Sequence, residues 1–264
     1  MDIKQIGGDE KPFLTGLDFL PDGRLVAVDS WKCQCLIMNH QLQRQGTPYK
    51  FNTNPLDVVC LSQAELAVTM RNKAVCLLYV SPDNSISLTK KINIAIDVFS
   101  ICCMTQTEMV VSTHNDARPM RMITKSGVVP GIDHLLFPTK TYQLEESRCT
   151  YIQSTNSLVM TDRLAHTLYI NDKVTSRAIT DDNIRQPRAA CVGPGDTVLL
   201  CSAAKNSIVH LTVDGTILGS YKVDVRWPYT LCINKDRSRL VVSGCDIDMS
   251  KLLMYKLSLT LYHP

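Results

Sequence analysis

Eleven cysteines and six histidines carry the most reactive chemistry in this chain, and their spacing decides what that chemistry is. Cys33-Gln34-Cys35 and the adjacent pair Cys102-Cys103 are the tightest thiol clusters. Neither has a second ligand pair at the spacing a structural zinc needs. Most other cysteines sit inside apolar phrases such as Val58-Val59-Cys60 and Thr230-Leu231-Cys232-Ile233, the setting of free thiols buried in a reducing compartment. His40, His114, His134, His166, His210 and His263 are scattered and form neither H-E-x-x-H nor H-x-H. Asp246-Ile247-Asp248 begins like a calcium loop but lacks its glycine and distal glutamate. No G-x-S-x-G occurs, and Gly193-Pro194-Gly195-Asp196 falls at a strand turn without the helix that phosphate cradling requires. The expectation is no catalytic residue, no metal and no cofactor: a binding module and not an enzyme.

What remains for binding is a set of cations and aromatic rings: Trp31, Arg71, His114, Arg163, Arg185, Lys205, Arg226 and Trp227. Lys and Arg contact phosphates or acidic side chains, and aromatic rings stack on bases or anchor a protein contact. Whether these eight residues meet depends on the elements that carry them.

Those elements repeat. The clearest unit runs Thr15-Gly16-Leu17-Asp18-Phe19-Leu20, Pro21-Asp22-Gly23, Arg24-Leu25-Val26-Ala27-Val28-Asp29 and Cys35-Leu36-Ile37-Met38, which reads strand, tight turn, strand, loop, strand. The phrase returns at Leu56 to Cys60, Val98 to Cys102, Arg148 to Ile152, Arg188 to Val192 and Tyr229 to Ile233. Each copy has its own second and third strand, such as Glu65 to Thr69 with Val75 to Tyr79. The spacing is roughly 40 residues, a period that marks four-stranded propeller blades. Only the interval between the third and fourth units is longer, and the segment from Val128 to Tyr142 is expected to be a loop insertion. The fold expected is therefore an all-β, six-bladed β-propeller spanning 1–264, with four-stranded blades starting near 15, 55, 97, 147, 188 and 229. Asp2 to Ile6 is expected to close the ring by pairing beside Leu257 to Leu261. In such a blade the loop leading into the inner strand and the loop after the second strand open on one face. All eight candidate residues are carried by those loops.

The first unit, an apolar strand, a D-G turn at Asp22-Gly23 and a second strand ending in Asp29, resembles an NHL repeat. Asp162 and Asp246 stand at or near the terminal-Asp position, while the D-G turn has become Gln63-Ala64, Gln106-Thr107 or Asp236-Arg237-Ser238 elsewhere. A six-bladed, cysteine-rich, NHL-like propeller is similar to the C-terminal domain of tripartite-motif (TRIM) RING-type ubiquitin ligases. The resemblance implies a domain that selects a protein or RNA target, while RING, B-boxes and a coiled coil, none of them in this chain, transfer ubiquitin and dimerise. It implies a cytoplasmic domain that is monomeric in isolation and needs no membrane.

Composition agrees with a folded chain: 45% hydrophobic residues, 20% charged and a formal net charge of +3, which permits an anionic partner without demanding one. No apolar run approaches the roughly 18 residues of a membrane span, and the first residues do not read as a secretory signal. An alternative of another class shares the six blades: a divalent-cation-dependent hydrolase of the gluconolactonase and regucalcin type, which needs acids and amides converging on the central channel. Asn54, Asn115 and Asp162 are the residues available for it. A scaffold using several faces is a third reading.

Overall fold

The computed structural model describes residues 12–114, 116, 118–132, 147–172, 175–245 and 251–257. It is a six-bladed β-propeller with almost no helix. Blade 1 holds β1 (Leu14–Phe19), β2 (Leu25–Asp29), β3 (Gln34–Met38) and β4 (Arg44–Lys50), and blade 2 holds β5 (Pro55–Cys60), β6 (Glu65–Met70), β7 (Ala74–Val80) and β8 (Ile86–Asn93). Blade 3 holds β9 (Asp97–Cys103), β10 (Glu108–His114), β11 (Met120–Thr124) and β12 (Gly127–Val129), and blade 4 holds β13 (Cys149–Ile152), β14 (Ser157–Asp162), β15 (Thr167–Asn171) and β16 (Ser176–Ile179). Blade 5 holds β17 (Pro187–Val192), β18 (Val198–Ser202), β19 (Ser207–Leu211) and β20 (Ile217–Lys222). Blade 6 is described as three strands, β21 (Pro228–Ile233), β22 (Arg239–Gly244) and β23 (Leu252–Lys256). Within each blade the strands pair antiparallel in chain order.

In blades 1, 2, 4 and 5 the second and third strands are buried almost throughout and the outermost strands carry the polar, exposed positions, so each of these blades is graded from a buried interior to an exposed outer edge. Tight turns use left-handed residues where the hairpin demands them: at the first turn Gly23 has φ 88°, and its N–H donates to Leu20 O at 2.9 Å.

A blade cannot bury both of its faces alone, and the core is accordingly divided into six clusters, each between two successive blades. Val26, Val28 and Ile37 of blade 1 meet Leu66, Val68 and Leu78 of blade 2. At the seam that closes the ring, Leu14, Leu25 and Leu36 meet Cys232, Val241 and Leu252. A hydroxyl near the end of the second strand stitches each of four seams. Thr69 donates to Phe99 O (2.9 Å), Ser112 to Ser147 O (2.7 Å), Thr161 to Arg188 O (2.8 Å) and Ser243 to Leu14 O (3.0 Å). The last of these joins the final blade to the first, so among the described residues the inner strands β21 and β1 complete the circle. The expected pairing of Asp2 to Ile6 beside Leu257 to Leu261 lies outside the described residues.

One expectation is corrected. Val128 and Val129 belong to β12, the short outer strand of blade 3, where they pair with Ile123 and Met122; the remainder of the expected insertion, from residue 133 on, lies outside the described residues. A three-residue strand does not declare itself in sequence when its first residue, Gly127, and the Pro130 that follows it both read as turn residues.

Candidate functional site

Antiparallel register brings the start of each inner strand opposite the end of the second: Leu14 pairs with Asp29, Asp97 with His114, Pro187 with Ser202 and Pro228 with Gly244. The eight candidate residues therefore lie on one face of the disc. Trp31 stands at the tip of the β2–β3 loop and is 59% exposed; Arg71, Lys205 and Arg226 are exposed on their loops, and Arg163 and His114 are half-buried. Arg185 is committed locally, because its guanidinium pairs with Asp182 three residues earlier. Trp31 and Trp227 make no ring contact with each other among the described residues. Trp31 instead packs on Phe13, with ring centroids 5.3 Å apart. Trp227, 43% exposed, holds φ 49° immediately before Pro228, a conformation that proline disfavours in the residue preceding it. Its N–H donates to Asn206 Oδ1 at 2.8 Å, which fixes the strained loop.

The acids on this face are mostly structural. Asp29 Oδ1 accepts the N–H groups of Phe13, Trp31 and Lys32, and Oδ2 accepts from Gln34 Nε2. Asp162 repeats the motif by accepting from Leu164 and Ala165. The terminal aspartate of the repeat is thus a cap for the loop that carries the exposed side chain. Burial raises both carboxyls above the ordinary range, against the pull of these hydrogen bonds.

Beneath Trp31 lies an assembly that sequence reasoning missed. Phe13 meets Tyr229 edge to face at 5.0 Å, and the Arg148 guanidinium lies over Tyr229 at 5.0 Å and over Phe99 at 5.2 Å. Arg188 covers Tyr229 at 4.8 Å. Arg148, only 4% exposed, reaches across the ring from blade 4: Nη1 pairs with Asp57 Oδ1 of blade 2 at 3.2 Å, and Nη2 donates to Thr15 O of blade 1 at 2.6 Å. Asp57 also accepts the N–H groups of Val58 and Ile101. Burial pushes the Asp57 carboxyl up; Arg148 and the two amides pull it back, and burial prevails. The cation is thereby held as a plug near one end of the central channel. The signal available in sequence was a charge inside an apolar inner-strand phrase, as in Leu56-Asp57-Val58 and Ser147-Arg148-Cys149. It marks a buried position without naming the partner.

Below the plug the channel holds a cavity of about 200 Å3 lined by inner strands of all six blades, including Asp18, Val59, Cys102, Thr150, Cys191 and Cys232. The lining thiols are neutral: burial pushes Cys191 up to about 12 and Cys232 well above its usual range, and Cys102 rises through its hydrogen bond with Cys149. Cys102 and Cys103 face opposite sides of β9, as strand alternation requires. Asn54 and Asp162, expected to serve a hydrolase, do not converge: Asn54 Nδ2 donates to Ser30 O at 2.6 Å and Asp162 caps its own loop. Asn115 lies outside the described residues. Among the described residues no three His, Cys, Asp or Glu side chains are grouped to hold a metal ion, and no described helix is long and apolar enough to cross a membrane.

No family model matches the sequence, and no curated protein matches it. Solved structures match its fold. A luciferin-regenerating enzyme superposes with a TM-score of 0.74 at 10% identity, covering 98% of this chain and 95% of that one. A calcium-binding regucalcin from Agrobacterium tumefaciens strain C58 does so with a TM-score of 0.69 at 12% identity, covering 91% and 86%. Virginiamycin B lyase from Staphylococcus aureus gives 0.58 at 11% identity, covering 98% and 88%. At such identities the likeness is one of fold, and these neighbours differ in what they do, so function is to be argued from this chain's own side chains.

Proposed function

We propose that this chain is the partner-recognition propeller of a TRIM-type ubiquitin ligase, acting in the cytoplasm through the face that carries Trp31 and Trp227. The observation that supports it is the continuous stack from exposed Trp31 through Phe13 and Tyr229 to Arg148 and Arg188. A large aromatic anchor held rigidly at a surface, on the face that also exposes Arg71, Lys205 and Arg226, has the composition of a recognition hot spot for an anionic partner. The NHL-like repeat supports the ligase context, and a protein target suits the modest net charge better than RNA. The hydrolase reading is less well supported, because Arg148 fills the channel beneath this face and engages the Asp57 carboxylate, an acid a divalent cation there would need, in an ion pair.

The test is capture from cell extract with the propeller bearing Arg71→Glu, Lys205→Glu and Arg226→Glu, alongside Trp31→Ala, each with and without RNase. The reading expects both variants to lose the partners that the parent propeller retains, with RNase sensitivity assigning RNA or protein as the target. An unchanged set of partners eliminates this face as the site.

A further inference from the structure

The cavity below the Arg148 plug opens at the opposite end of the channel, where the strands β1, β5, β13, β17 and β21 finish. Solvent reaches in from that side: Asp18, Val59, Thr150, Ala190, Val192 and Ile233 are half-buried, whereas Asp57, Cys149 and Leu231 nearer the plug are buried. Each inner strand is the edge of its sheet, so one row of its backbone carbonyls faces the channel without a strand partner.

Asp18 is the one unneutralised charge in that space among the described residues. Its Oδ1 accepts the N–H of Phe19 at 2.8 Å, its Oδ2 accepts that of Cys60 at 2.7 Å, and the Cys60 thiol donates to the same carboxyl, leaving about one further acceptor position on a group that offers about four. The charged and titratable groups that bear on it are Asp57, which repels it, and the thiols Cys60, Cys103, Cys191 and Cys232, which burial keeps protonated. Among the described residues no cation pairs with it; Arg148 is committed to Asp57. Burial and Asp57 together raise the carboxyl to about 6, so it is an anion at neutral pH held in a partly dry pocket.

We propose that this open end of the channel binds a small organic ammonium ion, its N–H groups on Asp18 and the inner-strand carbonyls and its aliphatic part against Val59, Val192 and Ile233. The cavity of about 200 Å3 admits a short alkyl ammonium and excludes a folded ligand. A metal ion is the poorer occupant, because among the described residues no group of three His, Cys, Asp or Glu side chains is placed to hold one, and the acid nearest in effect, Asp57, is paired with Arg148. The same chemistry is presented by a free amine and by the lysine side chain of a partner, and this site is independent of the recognition face described above.

The experiment is an NMR titration of the propeller at neutral pH, reading the Phe19 and Cys60 amides that donate to Asp18. The probes are n-butylammonium, the neutral isostere n-butanol, and a Gly-Lys-Gly peptide blocked at both ends. Saturable shifts at those two amides with n-butylammonium, absent with n-butanol and weakened about tenfold or more in Asp18→Asn, support the proposal. Circular dichroism verifies that Asp18→Asn folds. Binding of the peptide as well assigns the ligand to a partner's lysine, and binding of the amine alone assigns it to a free small molecule. Amides unmoved by n-butylammonium, or moved equally in Asp18→Asn or by n-butanol, overturn it.

Discussion

Replacing Arg148 by Met keeps an unbranched stem of similar length and removes the positive charge that crosses the ring. Three interactions go with it: the ion pair to Asp57 at 3.2 Å, the donation to Thr15 O at 2.6 Å, and the cover over Phe99 and Tyr229. The dominant cost is the Asp57 carboxylate left buried without its cation, and breaking one side of a buried pair costs about 3–5 kcal/mol. That is a large share of the roughly 5–15 kcal/mol by which a domain is stable. Two controls isolate the cause. In an Asp57→Asn background no orphaned charge is created, so Arg148→Met should cost about 1–2 kcal/mol, and the double-mutant cycle should return a coupling of about 2–3 kcal/mol. The second control is pH. The Asp57 carboxyl is already raised by burial, and deleting Arg148 removes the strongest influence opposing that rise. A carboxyl whose folded pKa lies above its unfolded value penalises the fold when ionised, and the penalty disappears as pH falls below the folded pKa. The stability gap between parent and Arg148→Met is therefore widest at neutral pH and narrows on acidification. Urea unfolding followed by far-UV circular dichroism at pH 7.5 and pH 5 measures it. A gap of equal size at both pH values, or one undiminished in Asp57→Asn, refutes the assignment of Arg148 and Asp57 as an energetically coupled plug.

Two further outcomes follow from the same geometry. At Gly16 an added Cβ would stand 2.7 Å from Asp57 Cα and from Val58 N, both rigid backbone of the neighbouring inner strand, so Gly16→Ala should cost about 1–3 kcal/mol; a thermal midpoint equal to the parent's would show that the two strands can separate. Asp18, raised from 3.8 to about 6, destabilises the parent progressively as pH rises from about 4 to about 6, so Asp18→Asn should gain on the parent across that window by up to about 3 kcal/mol, less where water at the mouth screens the charge; urea unfolding at pH 4.5 and pH 7.5 gives the difference, and a constant offset would contradict it.

The repeat was legible because each blade carries its own hydrophobic alternation and turn residues. Second-strand phrases such as Leu25 to Val28 and Leu66 to Val68 are apolar at every step since blades pack on both sides of them. The terminal aspartate was legible as a motif, but its role was not: only the structure shows Asp29 and Asp162 capping the loops that follow them. Arg185 looked like Arg71 in sequence, and Asp182 distinguishes them. β12 escaped notice because three residues that begin with a glycine and are followed by a proline carry too little pattern to separate a strand from a loop.

The sequence by itself determined the architecture and the face on which the loops gather, since strand period, turn residues and blade period are local quantities that no distant contact needs to supply. The seating of Arg148 against Asp57, of Trp31 on Phe13 rather than Trp227, and of a lone carboxylate in an open channel was decided only in three dimensions. Arg148 meets Thr15 133 residues away, and the seam between last and first blades brings Ser243 to Leu14 across 229 residues, so a residue's partner across the ring is set by closure of the circle.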